Sequence, residues 1–119
     1  MNAILILAHG SRAKETEKTL DAVVEMVREM LPDSIIEAAY MEFGHINIAA
    51  GLDGLVARGA TEIKVVPYFL FEGIHIREDV PHEIGEYLAS HSGVTVTLGK
   101  TLGADKRLAE ILRDRIVTA

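Results

Sequence analysis

The sequence predicts an α/β fold in which a four-stranded parallel sheet carries helices on both faces. Three observations predict it. Short apolar runs alternate with longer amphipathic stretches along all 119 residues. The apolar runs are nearly continuous rather than alternating, as strands covered on both faces are. Hydrophobic residues make up 49% of the chain and are mostly aliphatic, which suits a packed domain of ordinary size.

The elements follow in order. Residues 3–8 (AILILA) read as a buried strand. Residues 15–31 read as a helix with Leu20, Val23, Val24, Val27 and Leu31 on one face, ended by Pro32-Asp33. Residues 35–41 (IIEAAYM) form a second strand, and residues 48–58 a helix with Gly59 placed as its C-cap. Residues 62–67 (EIKVVP) form a third strand, whose apolar run continues through Phe71. Residues 81–90 are helical, residues 94–98 a fourth strand, and residues 104–117 the last helix.

The order βαβαβαβα implies parallel strands joined by right-handed crossovers. No linker or repeat divides the chain, so residues 1–119 read as one domain. A flavodoxin-like strand order, 2-1-3-4, sets the first and third strands side by side. Ligands of such sheets bind beyond the carboxyl ends of the strands, where the winding reverses. The loops after Ala8 and Pro67 meet there.

Composition narrows the function classes. There is no cysteine, which removes disulfides, thiolate metal sites and cysteine nucleophiles. His, Asp and Glu remain as metal ligands. The net charge of −6 is the wrong sign for a general nucleic-acid binder or for docking on an anionic membrane. No basic leader or membrane-length apolar run is visible, so a soluble cytoplasmic protein is expected.

The first of the two loops is His9-Gly10-Ser11-Arg12. His9 falls at the crevice rim, Gly10 permits a tight turn, Ser11 can cap the next helix, and Arg12 offers a planar fork to a carboxylate. His9 alone is open to two readings, a ligand or a solvated turn residue. The second loop, Pro67 to Pro81, is long and apolar, as binding loops are. Tyr68, Phe69 and Leu70 suit a large flat ligand, although Tyr68, Phe69 and Phe71 also fit a core. His75 and Arg77 lie within this loop, and Asp79 before Val80-Pro81 reads as a helix cap. Glu42 ends the second strand, where it can ligate, accept protons or face water. His45, His82 and His91 read as solvated.

Together these residues resemble the sirohydrochlorin chelatase family, the CbiX-type class II chelatases. The matching pieces are His9-Gly10-Ser11-Arg12, Met41-Glu42-Phe43, Gly59-Ala60, and the spaced pattern Pro67-x-Phe69-Leu70-x-x-Gly73-x-His75-x-x-x-Asp79-Val80-Pro81. Many relatives carry Pro-Ser where Ile46 and Asn47 stand here. The length resembles the short, single-domain branch, which implies a homodimer. The resemblance implies that His9 and His75 bind the incoming Co²⁺, Fe²⁺ or Ni²⁺, that one of them accepts protons, and that Glu42 assists. It implies sirohydrochlorin as substrate, bound by Ser11, Arg12, Tyr68, Phe69, Leu70, Gly73 and Arg77. The metal is cargo, and no permanently bound cofactor is expected.

The chemistry fits those residue types. Imidazole holds first-row metals yet releases them more readily than thiolate does. It also exchanges protons near neutral pH, and two protons must leave the macrocycle as the metal enters. A non-catalytic tetrapyrrole or metal carrier of the same fold is the alternative. A flavin module lacks its glycine-rich phosphate loop here, and a hydrolase lacks the G-x-S-x-G elbow.

Overall fold

In the computed structural model, which describes residues 2–119 and of His75 the backbone alone, the apolar runs assemble into one sheet. Its strands are β1 (Asn2–Ala8), β2 (Ile35–Tyr40), β3 (Glu62–Pro67) and β4 (Thr95–Leu98). Their order is β2-β1-β3-β4 and every pairing is parallel, as the alternation predicts. Ala8 pairs with Tyr40, and Leu7 pairs with Pro67. The carboxyl ends of β1, β2 and β3 therefore open on one edge.

The helices are α1 (Lys14–Met30), α2 (Ile48–Ala57), α3 (Val80–Ala89) and α4 (Lys106–Thr118). Successive side chains of β1 point to opposite faces. Leu5 and Leu7 join the larger core with Leu52 and Leu55 of α2 and Val80, Ile84 and Tyr87 of α3. Ile6 and Ala8 face the other way, against Leu20 and Val24 of α1. Both faces of β1 are dry, which is why its sequence runs apolar without interruption. Gly51 of α2 is buried against Leu5, at a distance that leaves no room for a side chain.

Local chemistry sets the helix ends. Gly59 adopts φ +95° just past α2, and the Gly59 and Ala60 amides donate to the carbonyls of Val56 and Leu55, a Schellman ending. Asn47 starts the same helix by accepting from the Ala50 amide at 2.8 Å.

Four expectations shift. Leu31 is 45% exposed and not part of the α1 core face, because the helix has already ended at Met30. Ser11 does not cap α1. Its Oγ accepts from the Ala13 amide, and Ala13 occupies the N-cap position without a side-chain bond. Asp79 holds the N-cap position of α3 in helical backbone and caps nothing, because a π-helical turn, His75–Asp79, runs directly into α3. The last helix starts later than residue 104, where the Asp105 carboxylate accepts from the Arg107 amide at 2.9 Å.

α4 stands apart. None of its residues is buried, and the molecule extends 51 Å along its long axis against 32 and 27 Å across. Leu108, Ile111, Leu112 and Ile116 recur at helical spacing along it. The sheet surface on the α1 side of β3 and β4 presents exposed Lys64, Thr95 and Thr97. That polar surface offers the stripe of α4 no apolar cover.

Candidate functional site

The site is built where the loops leaving β1, β2 and β3 converge. Main-chain bonds continue the sheet past its last paired residues. The Met41 amide donates to the Ala8 carbonyl at 3.0 Å, and the Glu42 amide to the His9 carbonyl at 3.1 Å. On the other side the Tyr68 amide donates to the Leu7 carbonyl at 2.7 Å. Gly10 adopts φ +94° with its Cα against the Glu42 carbonyl, where no Cβ fits. Only glycine meets both demands.

This scaffold sets His9 against Glu42. His9 Nε2 lies 2.9 Å from Glu42 Oε1, with the side chains 55% and 49% exposed. A pair so open to water contributes little to stability. The Phe69 ring lies 6.1 Å from that of His9, centroid to centroid, and is itself half-buried against the main core. Phe71, by contrast, is 78% exposed and is not core. Tyr68, Leu70 and Ile74 are also exposed, so the β3 loop presents an apolar rim. The β4 loop adds Leu102, whose amide donates to the Phe69 carbonyl at 2.8 Å.

Beside the His9–Glu42 pair opens a cleft of about 500 Å³, lined by His9, Met41, Glu42, Asp79, His82 and Glu83. Its far wall is the end of the π-helical turn and the first turn of α3. His75 opens that turn, and its side chain lies outside the described residues. Gly73 accepts from the Arg77 amide at the start of the same turn, and both residues are exposed. Among the described residues no three His, Asp or Glu side chains are arranged to hold an ion. His9 and Glu42 offer two donors.

Histidines read as solvated divide three ways. His45 is a surface residue paired with Glu17. His82 is water-exposed and paired with Glu86, yet it lines the cleft. Its place one residue after Pro81, in the first turn of α3, was the available signal. His91 is not simply solvated, since its ring stacks on Tyr87 at 3.9 Å and its Nδ1 lies 2.8 Å from the Tyr87 carbonyl.

Arg12 and Phe43 belong to the two loops that carry His9 and Glu42. The Arg12 guanidinium lies 4.9 Å from the centre of the Phe43 ring. Phe43 is the one non-glycine residue with positive φ among the described residues, at +60°. That backbone costs a residue with a side chain about 1–2 kcal/mol. The β2 loop is nonetheless firmly held, with the Tyr40 amide donating to the Ile46 carbonyl at 2.8 Å and Gly44 packed on the Tyr40 ring.

The family model of CbiX matches residues 3–119. The chain belongs to the CbiX family. The sirohydrochlorin ferrochelatase of Priestia megaterium is 34% identical over 116 residues, which are 98% of this chain and 44% of that protein. The sirohydrochlorin cobaltochelatase of Sulfurisphaera tokodaii is 28% identical over 98% of this chain and 92% of its own. The crystal structure of the sirohydrochlorin chelatase SirB from Bacillus subtilis subspecies spizizenii, in complex with cobalt, superposes with a TM-score of 0.91. It is 28% identical, and the match covers 98% of this chain and 50% of that one. The chain spans about half the length of the first curated relatives it matches. Membership in the CbiX family accords with the sheet order and with the motif that runs from Pro67 to Pro81.

Proposed function

We propose that the chain is a sirohydrochlorin metallochelatase that inserts Co²⁺ or Fe²⁺ into the macrocycle. The observation that carries the reading is the His9–Glu42 pair, 2.9 Å apart, open to a cleft at the carboxyl ends of the strands. Relatives named for both metals support it. In this reading His9 and His75 hold the metal as cargo, and no cofactor is resident. Their imidazoles leave coordination positions open, so the ring nitrogens replace them stepwise. Glu42, in contact with His9, receives a proton that the macrocycle gives up. The apolar rim of Tyr68, Phe69 and Leu70 takes the ring's face, while Ser11, Arg12, Gly73 and Arg77 meet its edge and carboxylates.

The reading includes a homodimer in the cytoplasm, with a second copy covering α4. The stripe of exposed Ile111, Leu112 and Ile116, continued by half-buried Leu108, supports it. So does the cobalt-bound SirB chain, in which a segment of similar length accompanies the part that matches.

Anaerobic absorbance assays of Co²⁺ and Fe²⁺ insertion test the activity. His9→Ala and His75→Ala are each expected to slow insertion at least about 100-fold, with circular dichroism unchanged. Near-normal rates in both variants would overturn the assignment, and binding without any acceleration would mark a carrier.

A further inference from the structure

Phe43 is a residue whose placement folding does not explain. Its backbone is left-handed, a conformation that glycine adopts without strain. Its ring is 54% exposed and so returns little by burial. The loop around it is fixed on both sides, by the Glu42 amide on the His9 carbonyl and by the Tyr40 amide on the Ile46 carbonyl. Strained backbone that the surroundings hold firmly, beside a site, points to a task for the residue that bears it.

The surroundings indicate the task. Phe43 follows Glu42 directly in the chain, so its backbone adjoins the residue that pairs with His9. Arg12, three residues after His9, stacks its guanidinium near that ring. The contact ties together the two loops that carry His9 and Glu42. An aromatic ring with a cation over one face matches a conjugated macrocycle edged with carboxylates: the macrocycle stacks on the other face and a peripheral carboxylate takes the guanidinium.

We propose that Phe43 is a stacking platform for the tetrapyrrole, with Arg12 as the anchor for one of its carboxylates. The proposal rests on the chelatase reading. It assigns the strained turn after β2 to substrate recognition.

Phe43→Gly is the informative variant, because it removes the ring and relieves the backbone together. Metal-free sirohydrochlorin is titrated against the protein by absorbance, and insertion kinetics and thermal melts are recorded in parallel. Phe43→Gly is expected to melt no lower than the parent, to bind sirohydrochlorin about tenfold more weakly, and to lose more in KM than in kcat. Phe43→Tyr keeps the ring and is expected to restore binding. Unweakened binding by Phe43→Gly, while the parent binds, overturns the platform alone. Failure of the parent to bind sirohydrochlorin overturns the chelatase reading and this proposal with it. A lower melting temperature, with kcat and KM equally affected, would assign the ring a structural role instead.

Discussion

At the scale of single residues the site depends on Gly10 as much as on the groups that react. Its left-handed backbone and its approach to the Glu42 carbonyl let two loops share one rim. Gly10→Ala is expected to destabilise the fold by about 2 kcal/mol or more, since both strain and collision are added. It should also slow metal insertion by forcing His9 and Glu42 apart. Urea unfolding and the insertion assay read the two effects separately. Gly54→Ala is the contrasting case. An added methyl meets nothing within 4 Å, and the residue lies in the middle of α2. It should stabilise the protein by about 0.5–1 kcal/mol, as alanine does in a helix. His9 and Glu42 were visible in the sequence because each sits at the end of an apolar run. The partnership of Phe43 with Arg12 was not, because a left-handed turn leaves no mark on a sequence unless glycine or asparagine occupies it.

At the scale of elements, α2 and α3 are joined by more than apolar packing. The Tyr87 hydroxyl donates to Asp53 Oδ1 at 2.7 Å, and burial together with that bond pushes the Tyr87 pKa up to about 12. Tyr40, beneath α1, is raised to about 12 mainly by burial, with Asp21 and Glu17 adding to it. Both hydroxyls ionise near pH 10 in the unfolded chain. Their contribution is therefore complete below about pH 10 and is lost as the pH rises towards 12. Melting temperature should fall across that window. Tyr87→Phe should reduce the slope there, at a cost of about 1 kcal/mol or less near neutrality, because Asp53 keeps access to water. An unchanged alkaline slope in Tyr87→Phe would contradict this account. The existence and order of the strands and helices were legible, because helical and strand periods differ along the whole chain. The π-helical turn was not, since its residues, His75–Asp79, read as loop until Ile76 is seen buried under α3. For His82 the local pattern showed only a place in the first turn of α3, and that it lines the cleft with His9 follows from how α3 is aimed.

For the whole molecule the decisive feature is a helix without a home. α4 buries nothing, while the exposed β3–β4 surface beside Lys64, Thr95 and Thr97 is polar. The parent is expected to sediment as a dimer in velocity runs, and Leu112→Glu to leave helical content intact and abolish that self-association. A monomeric parent would remove the proposed dimer. The free helix also bears on how such units respond to concentration. Separate copies meet by mass action, so their pairing weakens on dilution, whereas two units on a single polypeptide hold each other at a fixed effective molarity. Specific activity of this chain should accordingly fade in very dilute solution, a weakness that a tether between two such units abolishes.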